Sequence, residues 1–308
     1  MTPVAQRGAA ATLQPVAPGI YAYTQPPGGW CLSNAGVITG GDGAVIVDTL
    51  ATQRRAHRLR HLVDRLAPGP RLTVVNTHHH GDHTFGNQAF APAAAIIGHR
   101  LTAAEMAEAG LGLTSLWPDV EWGDVRLTPP TITFTDTITL TVGDRSVELI
   151  HVGPAHTTND VVVWLPESRV LFAGDVVLSG CTPFVLMGSV SGSLAAIARM
   201  RALEPEVVVC GHGPVAGPEV FDENAAYLRR LEALAAEAWA AGYPPLRTAR
   251  EVGPGEFGHL LDPERLVGNL HRACAELDGA APGSPLDVPS IFGEMVDYNG
   301  GELPTCLA

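Results

Sequence analysis

The chain of 308 residues contains no lysine, so arginine supplies every fixed side-chain positive charge. Its 19 basic residues face 32 acidic ones, a formal net charge of −13. Nucleic acids and anionic membranes reward clustered cations, so neither is expected as a partner. Cysteine is sparse: five residues, at 31, 181, 210, 274 and 306, with no Cys-x-x-Cys pair. An odd, scattered set reads as buried free thiols in a reducing compartment, not as a disulfide framework. No stretch approaches a membrane span. Met1 to Pro18 also lacks a charged start followed by an apolar core of signal length. The expected location is therefore the cytoplasm. The length allows one large or two small domains with a sizeable core.

What the chain does have is histidine in one place. Thr77-His78-His79-His80-Gly81-Asp82-His83 packs four imidazoles and a carboxylate into seven residues. It follows Leu72-Thr73-Val74-Val75-Asn76, a β-branched run that reads as a buried strand. A strand ending in such a cluster presents polar groups at a sheet edge, where open α/β sheets keep their active sites. Alternate residues of an extended segment point the same way. His78 and His80 are thus placed to bite one ion, while Asp82 and His83 turn toward a second.

The pattern recurs. Val147–Val152 leads to Gly153-Pro154-Ala155-His156, Arg169–Ala173 to Gly174-Asp175, and Glu206–Cys210 to Gly211-His212-Gly213. Four apolar strands end in His or Asp, each with glycine nearby to let backbone and ligand approach closely. Oxygen and nitrogen ligands of this kind make a dinuclear metal site the economical reading.

Together, His78-x-His80-x-Asp82-His83, His156, Asp175 and His212 resemble the five-motif signature of the metallo-β-lactamase superfamily, from about Gly19 to Pro218. The resemblance implies an α/β fold, an αββα sandwich with the metals at one edge of two sheets, here with additional C-terminal helices. By position, His78, His80 and His156 would hold one ion. Asp82, His83 and His212 would hold the other, with Asp175 bridging. Asp175 stands where the lactamases best known for resistance often carry Cys, which favours the general hydrolase branch. Asp48 stands where the family keeps a carboxylate under the metals, although it also reads as the N-cap of the helix that follows. His79 occupies a variable motif position and is expected to be structural.

The domain expectation is a flexible lead-in over 1–18, the sandwich over 19–218, and a helical extension with a tail over 219–308 packed on the same domain. Ile132 to Val142 and Ser146 to Ile150 read as one hairpin, and Thr84 to Phe90 as a short helix start. Thr157 to Asp160, Asn159 among them, suit hydrogen bonds that orient an imidazole. Trp117, in a loose loop, and Phe184 and Met187, in the apolar stretch 181–190, are candidates for the substrate pocket. Each reads equally as core.

The expected function is a dinuclear zinc hydrolase cleaving an ester, thioester, lactone or amide of a small, apolar substrate through metal-activated hydroxide, Asp82 orienting the nucleophile and passing a proton. Iron or manganese would suit the same two-ion cage. Glutathione thioesters are disfavoured because no lysine exists to hold their carboxylates. The alternative is a metal-dependent cyclase or thioesterase of aromatic polyketide biosynthesis, which would bring an acyl-carrier protein as partner. An iron-dependent persulfide dioxygenase ranks below it, and flavin-linked iron relatives usually have Glu where His80 stands. The partner otherwise expected is a small-molecule substrate, and a homodimer is compatible with the C-terminal helices.

Overall fold

The computed structural model describes residues 10–41, 43–69 and 71–308. Two sheets carry the site. The first runs in the order β1 (Thr12–Ala17), β2 (Ile20–Thr24), β3 (Ala35–Gly40), β4 (Gly43–Val47), β5 (Arg71–Val75), β6 (Ala94–His99) and β7 (Ile132–Phe134). It is antiparallel from β1 to β4 and parallel from β4 to β7. The second is ordered β12 (Val207–Cys210), β11 (Val170–Gly174), β10 (Val161–Leu165), β9 (Arg145–His151) and β8 (Thr137–Val142), with only β11 and β12 parallel.

The layering follows from strand periodicity. In β4, Val45 and Val47 face the second sheet while Ala44 and Ile46 face outward onto α1 (Gln53–Leu66). In β10, Val161, Val163 and Leu165 meet the first sheet, while Val162 and Trp164 face helices. Both strands are buried on both faces, which is why they read as unbroken apolar runs instead of alternating ones. Helix α1 covers the first sheet with Ala56, Leu59 and Val63, one stripe at helical spacing. The second sheet is covered by α5 (Val190–Arg201), α6 (Glu219–Ala241), α7 (Pro245–Val252) and α8 (Arg265–Leu277). Helices α2 (Gly81–Thr84), α3 (Arg100–Ala109), α4 (Leu113–Leu116) and α9 (Val288–Tyr298) lie toward the edge where the ligand-bearing loops gather. This is the αββα sandwich with C-terminal helices.

Several expectations are corrected. The lead-in to residue 18 is not a loose segment throughout: Thr12–Ala17 form β1, paired with β2, while residues 1–9 lie outside the described residues. Of the expected hairpin, Thr137–Val142 does pair antiparallel with Arg145–His151, but its first arm is two strands in different sheets, the chain crossing over at Thr135-Asp136. The apolar residues 132, 134, 138, 140 and 142 keep one parity across the break, and Asp136, the one polar residue in that phase, is its only local sign. The turn after the histidine motif begins at Gly81, not Thr84, which places Asp82 and His83 inside it. Helix α1 is capped by Thr52, whose side chain accepts from Arg55 N–H, so Asp48 is not the cap. Cys274 and Cys306 are only half-buried, unlike Cys31, Cys181 and Cys210. Among the described residues, no helix is long and apolar enough to cross a membrane.

Candidate metal centre

The ends of β4, β5, β11 and β12 and the β9–β10 loop deliver polar side chains to one point. His78 Nε2 and His156 Nε2 lie 3.1 and 2.9 Å from His80 Nδ1. Asp82 Oδ2 lies 3.3 Å from His212 Nε2 and 3.7 Å from His83 Nε2. Asp175 stands between the two groups, Oδ1 at 3.2 Å from His83 Nε2 and Oδ2 at 3.4 and 3.6 Å from His212 and His156 Nε2. Three overlapping sets result, each with ligand atoms within 4.8 Å of one another: His78, His80, His156; His78, His83, Asp175; and Asp82, His83, His212.

Each imidazole donates its outer N–H to a fixed acceptor, which leaves the other nitrogen's lone pair facing inward. His83 Nδ1 donates to Asp48 Oδ2 at 2.7 Å. His212 Nδ1 donates to the carbonyls of Gly28 and Gly29. His156 Nδ1 donates to the carbonyl of Phe184. His78 Nδ1 donates to Thr77 Oγ1, whose hydroxyl donates on to Asp48 Oδ2 at 2.7 Å. His80 points Nε2 at the sulfur of Met187, 3.3 Å away. Outer acceptors of this kind set the tautomer and orientation that a metal ligand needs. His83 Nε2 and Asp175 Oδ1 are buried without a hydrogen-bond partner. Buried polar atoms are rarely left so, and a bound cation would satisfy both. The residues fit a metal.

Charge points the same way. Burial holds His78, His80 and His156 below the ordinary imidazole range, so they are neutral ligands at pH 7. At His83 and His212 burial is outweighed by neighbouring carboxylates, Asp175 foremost, and His212 is pushed up to about 9. The field here favours positive charge. Despite burial, Asp82 and Asp175 are pulled below the usual carboxylate range by these histidines and stay ionised.

Glycine allows the close packing. A Cβ on Gly211 would lie 1.8 Å from Asp175 Oδ1, and one on Gly28 would lie 2.4 Å from Gly213 N. Asp48 itself has φ +60, a left-handed conformation that short Asp side chains tolerate.

The model for the metallo-β-lactamase superfamily matches residues 28–212. The chain belongs to that superfamily. Members bind metal ions, commonly zinc, and hydrolases are among the relatives. A linear primary-alkylsulfatase of a Pseudomonas strain is 25% identical over 61% of this chain and 43% of its own length. The alpha subunit of a 2,4-dinitroanisole O-demethylase from a Nocardioides strain is 29% identical, over 57% and 51%. A hydroxyacylglutathione hydrolase of Rhodospirillum rubrum is 30% identical, over 45% and 47%. The chain thus spans about half the length of these curated relatives. Among solved structures, a metallo-β-lactamase from Pontibacter korlensis superposes with TM-score 0.61 at 22% identity, covering 71% of this chain and 99% of the other.

The superfamily match ends at His212, but the cavity over the cluster does not. A cavity of about 400 Å³ opens above the ligands, and beyond residue 212 it draws on Arg265, Val288, Pro289 and Phe292. Phe184 and Met187 line it. Trp117 does not: it is buried behind Trp30 and Phe292, with Nε1 donating to the carbonyl of Pro304. An aromatic residue in a Pro- and Gly-rich loop reads the same from sequence whether it walls a cavity or backs the wall. Asn159 is also reassigned. Its amide nitrogen lies 3.0 Å from His79 Nδ1 and donates to Glu105, so it positions a histidine outside the ligand sets, not His156. Sequence reasoning missed Thr77, the Gly28-Gly29 carbonyls and the sulfur of Met187 as a partner of His80. Thr77 at least directly precedes the motif. A pair of glycines some 180 residues from His212 carries no such signal.

Proposed function

We propose that this chain is a dinuclear zinc hydrolase that cleaves an ester, thioester, lactone or amide of a small apolar substrate. The observation that carries the reading is the pair of three-ligand sets joined through Asp175, opening into a cavity whose walls are largely apolar. His78, His80 and His156 would hold one ion, Asp82, His83 and His212 the other, and Asp175 both. Bound there, the ions would bring the pKa of a water toward neutrality and polarise the scissile group.

The chain's own residues do the rest. Asp82 faces the cavity with its carboxylate ionised, so it orients the attacking water and takes up a proton at the carboxylate afterward. The ligand side chains themselves are buried, and low local dielectric there strengthens each electrostatic contact. Names among the relatives cover sulfate ester, aryl ether and thioester substrates, so the fold does not select the bond.

The test is metal content by plasma mass spectrometry on protein purified without a metal-binding tag. Beside it runs a panel of nitrocefin, an acyl-cysteamine thioester, a homoserine lactone and a naphthyl ester. We expect about two zinc ions per chain, one substrate class turned over, and a loss of at least about 10²-fold in Asp82→Ala. One iron per chain would overturn the zinc assignment. The breadth of the aromatic-lined cavity also suits the second reading, a cyclase or thioesterase of aromatic polyketides. Zinc at full stoichiometry with a silent panel would favour it.

A further inference from the structure

We infer that the part of the substrate remote from the metals is an uncharged apolar group, and that Phe292 of α9 sets how long that group can be. The inference rests on the hydrolase reading only for the orientation of the substrate, with its reacting group at the ligands.

The cavity is polar at one end, where His80, Asp82, His156, Asp175 and His212 face it. The other walls are Trp30, Phe184, Leu113, Leu116, Val288 and Phe292. Among the described residues that line it, Arg265 is the one fixed cation, and it is committed elsewhere. Its Nη1 donates to the carbonyl of Thr182, its Nη2 pairs with Asp262 at 2.9 Å, and its guanidinium lies 4.2 Å from the ring centre of Trp30. Arg265 Nε makes no hydrogen bond, but it is sealed from solvent. A charged tail entering this cavity would be desolvated with nothing to pair it, and burying an unpaired charge is expensive. An apolar tail pays no such penalty and gains the hydrophobic term.

Helix α9 docks along one apolar stripe. Ile291 and Met295, buried at 6% and 0% exposure, anchor it to the protein. Val288 and Phe292 adjoin them at i+3 and i+4 spacing on the cavity side of that stripe, and Pro289 lies beside them; all three line the cavity. The ring of Phe292 packs edge-on against Trp117 and Trp30, centres 5.7 and 6.5 Å apart, so it is held and does not swing free. Ile291 and Met295 remain to hold α9 when Phe292 is changed, and equal metal content in the variants checks that the site stays intact. These residues lie beyond the superfamily match, so chain length is selected by a part of the protein the family pattern does not describe.

The test is calorimetric binding of uncharged methyl alkyl ketones, which are not hydrolysed, to the metal-loaded full chain. Affinity should tighten about fourfold per added methylene up to a limiting length and then stop. Phe292→Ala should move that limit to longer chains, and Phe292→Trp to shorter ones, with metal content equal in all three proteins. A carboxylate on the far end of the best ketone should weaken binding at least about tenfold. Affinity independent of length, a limit that moves in neither variant, or a carboxylate that binds as tightly would each overturn the inference. The two readings fail separately. Ketones that obey the length rule beside a silent hydrolysis panel sink only the hydrolase, whereas turnover without ketone binding sinks only this assignment.

Discussion

The Asp48 carboxylate accepts from His83 Nδ1 at 2.7 Å, and it also takes both the backbone N–H and the hydroxyl of Thr77, at 2.8 and 2.7 Å. Thr77 in turn accepts from His78. One side chain at the end of β4 therefore orients a histidine from each of the two outer ligand sets.

Asp48→Asn keeps the shape but takes away the charge and one acceptor geometry. Metal affinity should fall by about 10- to 100-fold, read by competition with a chromogenic chelator. Because Asp48 serves both sets, the two dissociation constants should rise together. Weakening of one ion alone would show that the Thr77 relay does not matter.

Gly28 touches no metal ligand side chain except through its carbonyl, which accepts from His212. Its φ of +98 and the 2.4 Å approach to Gly213 N leave no room for a methyl. Gly28→Ala should therefore displace the His212 acceptor and lower occupancy of the Asp82–His83–His212 set, with the other set retained. Equal loss at both sets by metal analysis would contradict this local account.

Arg272 of α8 is fully buried, and its guanidinium donates to the carbonyls of Leu186 and Ser284. Arg272→Met fills the volume but strands those carbonyls, at roughly 1–3 kcal/mol each. Urea unfolding should report the loss. The same change frees the loop whose Phe184 carbonyl holds His156, so metal binding should weaken too. Lower stability with unaltered metal affinity would mean that the loop is held by other contacts.

His99 stacks on His151, rings 3.9 Å apart and nearly parallel. Burial first, then the neighbouring imidazole, lowers its pKa to about 4. The unfolded chain binds this proton near 6.5, and the folded one only near 4. Between those values the unfolded state holds more protons, so stability falls as pH drops through the window. His99→Asn retains an acceptor near Leu101 N–H and should lose less in melting temperature between pH 7 and pH 5 than the parent protein. An identical acid slope in both would remove His99 as a cause.

The sequence by itself determined what is local. The β-branched run before Thr77 makes β5, and the spacing of His78, His80, Asp82 and His83 sets these groups within one turn of each other. The apolar runs before Asp175 and His212 become strands buried on both faces, whereas the run before His156 alternates, with Val147 and Leu149 buried. Partnership across the chain was decided only by tertiary structure. Which nitrogen of His212 and of His156 faces inward depends on carbonyls of Gly28, Gly29 and Phe184, and a backbone carbonyl is the same group at every residue. Trp117 and Phe292 are both large aromatics, yet one backs the wall and the other lines it. The switch of sheets at Thr135 left the parity of the apolar residues unchanged on either side of Asp136. Periodicity records that a side chain is buried. What it is buried against is set by packing among segments that are distant in the chain.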